Sequence, residues 1–231
     1  MIQIAVINES TAIADAAVAQ MIPAFSTQWN RDLAQVWNLE SATFEAVPKS
    51  SAVPPQYWQV VFLDNSDQAQ ALAYHDVTKA GMPLAKVFVK TIQGDGASVS
   101  VAAAHEICEM AVDPTINLAA QYGDFWAYEV CDPVEDDQYG YNIGGVIVTD
   151  FVTPAWFDYA NSSGKQIDFM GHATAPFQVL TGGYAQKFVA GSGWQQVNGD
   201  KVTKAGALTA PVGSRRERRI RGQANWTRSA R

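Results

Sequence analysis

The apolar positions of the first 114 residues fall into short runs with two different periods. QIAVIN, residues 3–8, is an apolar run too short for a helix and reads as a strand. Ser10 and Thr11 offer a cap to a helix that begins near TAIADAAVAQMI, is interrupted at Pro23 and resumes through QWNRDLAQVW. SATFEAV alternates with a period of two, and YWQVVFLD is rich in aromatic and β-branched residues, so both predict strands. SDQAQALAYHD opens on a capping residue and predicts a short helix or turn. LAKVFVKTI predicts a further strand and QGDGAS a loop. VSVAAAHEICEMAVD then predicts a helix that stops at Pro114.

Strands and helices mixed in this way predict an α/β or α+β unit over residues 1–114, a length typical of one folding unit. Over 115–212 helical periodicity fades. Short strand patterns such as GGVIVTDFV and KFVAG alternate with loops rich in Gly, Pro and Asp, which predicts a second lobe, mostly β and irregular, packed on the first. Trp156, Phe157 and Tyr159 are expected to fill its core. No internal repeat is visible.

Composition supports a sizeable core, since 48% of the 231 residues are hydrophobic. No apolar run is long enough to cross a bilayer, and MIQIAVINES lacks the charged and apolar regions of a secretory signal. The expectation is a chain made in the cytoplasm, with no membrane partner. Charge divides the chain further. The net −7 separates into +6 for residues 213–231, GSRRERRIRGQANWTRSAR, and −13 for residues 1–212. Arg215, Arg216, Arg218, Arg219 and Arg221 head an arginine-rich tail, suited to phosphate contacts with nucleic acid or to docking on an acidic protein surface. A second copy of the acidic globule is one such surface; a solvated tail is the plain alternative.

The candidate chemistry lies in AAAHEICEMAVDP, residues 102–114. His105 and Glu106 open like the zinc-peptidase motif H-E-x-x-H, but Glu109 stands where the second histidine belongs. On a helix Glu109 lies about 40° around from His105 and one turn on, so both can reach one ion. Glu106 lies about 100° from His105, at the edge of that face, where a general base for a metal-bound water would sit. Ala103, Ile107, Met110 and Ala111 lie opposite and are expected to pack on the sheet. A catalytic zinc usually has three protein ligands and an open position. FWAYEVCDPVEDD offers Glu129 or Asp132 as the third, with His172 and His75 as more distant candidates. One imidazole with two carboxylates is a weaker activator than two imidazoles with one, and it shifts preference from zinc toward harder divalent cations such as Mn²⁺, Mg²⁺ or Ca²⁺.

HEICEMAVDPTIN resembles the H-E-x-x-E-x-x-x-(D/N)-P-x-x-N stretch of plant phosphate-induced, EXORDIUM-like proteins, and EVCDP resembles their E-I-x-D segment. The wider set AYHD, AKVFVK, AHEICEMAVDP, YEVCDPVEDD, FVTPAWFD and GGY is similar to proteins encoded by bacteria and tailed phages. This resemblance implies a zincin-like fold, a twisted mixed sheet whose edge strand lines a cleft above the motif helix. It implies His105 and Glu109 as the first two metal ligands, Glu106 as the catalytic glutamate and Glu129 or Asp132 as the third ligand. Cys108 and Cys131 flank these positions. They could pair as a disulfide, remain buried thiols or ligate metal through sulfur. Two functions are therefore expected in competition. One is a metallohydrolase of peptidase type. The other is a non-catalytic component of a protein assembly, such as a phage virion, docked through its basic tail.

Overall fold

The first strand, β1 (Ile2–Asn8), has Ile4, Ala5, Val6 and Ile7 buried in succession, the burial pattern of a strand covered on both faces. In the computed structural model, which describes residues 1–67 and 71–199, β1 is an inner strand of a five-stranded mixed sheet. Its parallel neighbours are β2 (Ala42–Val47) and β3 (Trp58–Leu63). Beyond β3 lies β5 (Pro83–Phe88), also parallel, and the edge is β4 (Ala73–Val77), antiparallel to β5. The α+β character expected from the hydrophobic pattern is what the chain adopts.

The β1-to-β2 crossover is helical, but it departs from the sequence reading at both ends. Helix α1 (Asp15–Thr27) starts four residues after Thr11, with no side-chain cap. Ser10 and Thr11 instead donate their hydroxyls to the Asp64 carboxylate at 2.7 Å, tying the end of β1 to the end of β3. Pro23 lies inside α1 without ending it. A proline removes one amide donor, yet the surrounding turns keep Val18, Ala24 and Phe25 buried, and that packing holds the helix together. The chain then widens into a π-helical stretch, Gln28–Leu33, before α2 (Ala34–Trp37) ends at Asn38 in the left-handed region, φ 52°.

Two further elements differ from expectation. AYHDV, within the segment expected to form a helix or turn, is strand β4, because pairing with β5 supplies hydrogen bonds that an isolated helical turn cannot match. The strand pattern of LAKVFVKTI ends at Phe88, and Val89–Gly94 forms the short helix α3. Helix α4 (Val99–Val112) carries the motif. Ala103, Ile107, Met110 and Ala111 are buried as expected, but so is every other residue of Ser100–Val112 except Ala102. The helix is enclosed rather than amphipathic, with β4 and β5 against it and α1, α3 and β9 also packed on it.

After α4, a four-stranded antiparallel sheet runs β11 (Gly193–Asn198), β10 (Tyr184–Val189), β7 (Asp124–Ala127), β6 (Ala119–Tyr122). A separate hairpin joins β8 (Tyr141–Ile143) to β9 (Val146–Val148). Its two-residue turn is Gly144–Gly145, both at positive φ, the geometry such a tight hairpin demands. Trp156 and Phe157 are buried as expected, whereas Tyr159 is 60% exposed and stacks on Tyr122. One hydrophobic cluster includes residues of both segments, from Ile4 to Ala185. No helix among the described residues is long and apolar enough to cross a membrane. The arginines at 215, 216, 218, 219 and 221 lie outside the described residues.

Trp29 shows how the first layer is locked. It is 1% exposed, donates Nε1–H to the Glu40 carbonyl at 2.9 Å and meets Phe44 and Trp58 edge-on. Trp29→Ala should cost about 3–5 kcal/mol in urea unfolding. A cost below about 1 kcal/mol would contradict this packing.

Candidate metal centre

Helix α4 places His105 and Glu109 one turn apart, and their side chains converge. His105 Nε2 is 3.1 Å from Glu109 Oε1 and 3.2 Å from Asp132 Oδ1. Both oxygens lie at hydrogen-bonding distance from the buried Nε2 but off the ideal direction of its N–H. Of the two candidates for the third position, Asp132 is therefore the one beside His105.

Asp132 arrives because the chain after β7 turns back over α4. The Val152 amide donates to the Val130 carbonyl at 2.7 Å, and Leu180 N–H donates to Pro133 O at 2.9 Å, pinning this return from outside. Gly183 lets the second contact form. A Cβ there would sit 2.5 Å from Pro133 O and 2.8 Å from Asp132 O, closer than real side chains approach. The Cys131 and Asp132 amides both point at Glu109 Oε1, at 3.3 Å. At the other end, Asp137 accepts the Ser98 amide at 2.8 Å beside the start of α4. Asp136 accepts Gln138 N–H within its own turn. The string EDD, residues 135–137, thus builds turns around the centre, and the carboxylates of Asp136 and Asp137 serve backbone amides.

A second imidazole enters from the sheet. His75, on edge strand β4, is 1% exposed. Its Nδ1 lies 3.3 Å from Glu106 Oε2 and 3.5 Å from Glu109 Oε2, and its Nε2 lies 3.9 Å from Glu129 Oε2. Glu129 thus belongs to the His75 side and Asp132 to the His105 side, with Glu109 between them. His75 was the least prominent of the histidine candidates in sequence because AYHD reads as a turn. Once that segment is a strand, its alternation can aim His75 at α4.

All six side chains are enclosed. His105 is 5% exposed and the rest 2% or less. Burial alone would lower the His105 pKa, but the charge of Glu109 and the close Asp132 outweigh it and push it well above the ordinary imidazole range. Cys108 and Cys131 are free thiols, both buried and close to one another, rather than a disulfide. Burial, then the Cys108 thiol and the nearby carboxylates, push the Cys131 thiol well up, so it stays protonated unless a cation draws the proton off. His105, Glu109 and Cys131 offer ligand atoms within 4.8 Å of one another, as do His75, Glu109 and Glu129.

Comparisons with protein-family models, curated proteins and solved structures found no match. The centre is therefore read from its own geometry.

His172 does not join it. It lies with Asp150 and Asp168, its Nδ1 3.3 Å and 3.5 Å from their Oδ2 atoms, and it is the exposed member of that group. The two carboxylates are fully buried and held by amides: Phe151 and Met170 to Asp150 Oδ1, Ala173 to Asp168 Oδ1, His172 to Asp168 Oδ2. Burial first, then the hydrogen bond and charge of Asp168, push the Asp150 carboxyl up to about 9, so the pair shares a proton. This pairing leaves no sequence motif, because residues 150 and 168 are brought together by the tertiary pairing of 151–153 with 167–169.

The sign of the resulting pH dependence follows from linkage. Between the unfolded carboxyl value, about 4, and the folded value of about 9, the folded state holds a proton that the unfolded state has lost. Stability from this pair is therefore full below pH 4 and declines toward pH 9. Asp150→Asn should flatten that decline in urea titrations between pH 5 and 9. An unchanged slope would contradict the shared proton.

Proposed function

We propose that this protein holds a divalent cation between α4 and the 129–132 return, and that the ion's first role is to fasten those segments together. The observation that carries this reading is the placement of His105 Nε2, buried and 3.1–3.2 Å from two carboxylate oxygens that lie off the ideal direction of its N–H. Two ligands about 2.1 Å from a tetrahedral ion stand roughly 3.4 Å apart, so these spacings suit atoms aimed at a common ion. The group whose ligand atoms lie within 4.8 Å of one another here is one imidazole, one carboxylate and one thiol, His105, Glu109 and Cys131, a set that suits zinc, with the Asp132 carboxylate 3.2 Å from His105 Nε2 as a further oxygen donor.

A hydrolytic role is the second reading. It is favoured by Glu106, which directly follows the ligand His105 on α4 and lies in the same buried cluster. Against it stands the enclosure, since a catalytic ion keeps a position open to water and substrate. The zincin-like resemblance belongs to this reading, as does peptide-bond cleavage as its reaction. Docking through the basic tail, to a virion neighbour or to nucleic acid, depends on residues outside those described and adds nothing to the choice.

Elemental analysis of the purified full-length chain should find at least one equivalent of a divalent metal. Chelation should lower unfolding stability, by about 4 kcal/mol if the ion is present at a thousandfold above its Kd. Metal-free protein whose unfolding ignores both chelator and added zinc or manganese would overturn the reading. For the hydrolytic reading, Glu106→Gln should keep the metal and lose about 10²–10⁴-fold in peptide hydrolysis. A metal-loaded wild type inert toward peptides confines the ion to the structural role.

A further inference from the structure

The two sides of Glu109 face two different imidazoles. Oε1 lies against His105 Nε2, at 3.1 Å, and Oε2 lies against His75 Nδ1, at 3.5 Å. Asp132 lies 3.2 Å from the same His105 nitrogen, whereas Glu129 lies 3.9 Å from the opposite His75 nitrogen, Nε2, and Glu106 pairs with His75 Nδ1 at 3.3 Å. Two triads of possible ligand atoms result, His105–Glu109–Cys131 and His75–Glu109–Glu129, and Glu109 is the member they share. A carboxylate with one oxygen turned to each side is the bridging ligand of two-metal sites, where the ions stand about 3.5–4 Å apart.

We infer that the centre is dinuclear, with Glu109 bridging two divalent cations. The first ion takes His105, Glu109 Oε1 and Asp132, with Cys131 in reach. The second takes a single ring nitrogen of His75 with one oxygen each of Glu109 and Glu129, atoms that lie within 4.8 Å of one another. Glu106, 3.3 Å from His75 Nδ1, stands beside the second ion. The composition of the cluster suits two ions better than one. Two dications would balance the four negative charges that these carboxylates carry when all are ionised beside neutral imidazoles. Origin matters too. His75 comes from β4, His105 from α4 and Glu129 and Asp132 from the return after β7, so two ions would join three separate segments through one carboxylate.

This inference rests on the metal-binding reading, and its test separates the two. The full-length protein, stripped and then reloaded with manganese, is measured for bound metal and by electron paramagnetic resonance. Two equivalents with an exchange-coupled spectrum are expected. His75→Ala should bind one equivalent and give an uncoupled six-line signal, while Glu109→Ala should lose both ions. A wild type holding one uncoupled ion, with His75→Ala unchanged, would overturn the dinuclear centre and leave the single-ion reading standing. A wild type that binds no manganese or zinc sinks both. Should His75→Ala fail to fold, the wild-type spectrum alone decides between one ion and a coupled pair.

Discussion

Everything around α4 follows from enclosing carboxylates and imidazoles together. Glu106, Glu109, Glu129 and Asp132 are almost wholly removed from water, and an isolated buried carboxylate is costly enough that it must be neutralised or paired. His75 and His105 stand within ion-pair range of all four. The enclosure of α4 on every side, the tight pinning of the return after β7 and the need for glycine at 183 are consequences of sealing such a set inside.

The architecture divides this task. The parallel core of the sheet supplies a rigid floor, and the antiparallel edge strand β4 extends it just far enough to deliver His75. Helix α4 delivers His105, Glu106 and Glu109 within one turn, at spacings that backbone hydrogen bonding holds rigid. The later segments cover α4 and bring Glu129 and Asp132 to it. Val130 and Pro133 are each tied by backbone bonds to chain about twenty or more residues downstream, so the ligand-bearing return is set by the fold around it.

The helix and the sheet class were legible in sequence, because both rest on local periodicity. Residues 99–112 have the apolar density and the stop at Pro114 that define a helix wherever they occur, and β1, β2 and β3 carry strand patterns of their own. That His105 and Glu109 share one side of α4 was legible for the same reason, and a short return offered Glu129 and Asp132 without choosing between them. What escaped depended on tertiary pairing. AYHDV has few features of a strand until β5 lies beside it, and with β4 unread His75 was no more than a distant candidate for the centre. Ser10 and Thr11 looked like caps, but the Asp64 carboxylate, more than fifty residues away, claims their hydroxyls. The Asp150–Asp168 pair joins two segments of weak pattern and could not be inferred from either.

The most direct test of the central claim is anomalous X-ray scattering from crystals of the native protein, recorded on both sides of the absorption edge of the metal it contains. Edge-dependent density is expected between His105 Nε2, Glu109 and Asp132, with a second peak toward His75. Featureless anomalous maps there, in protein whose side chains keep the positions described, would mean that protons and not cations neutralise this cluster.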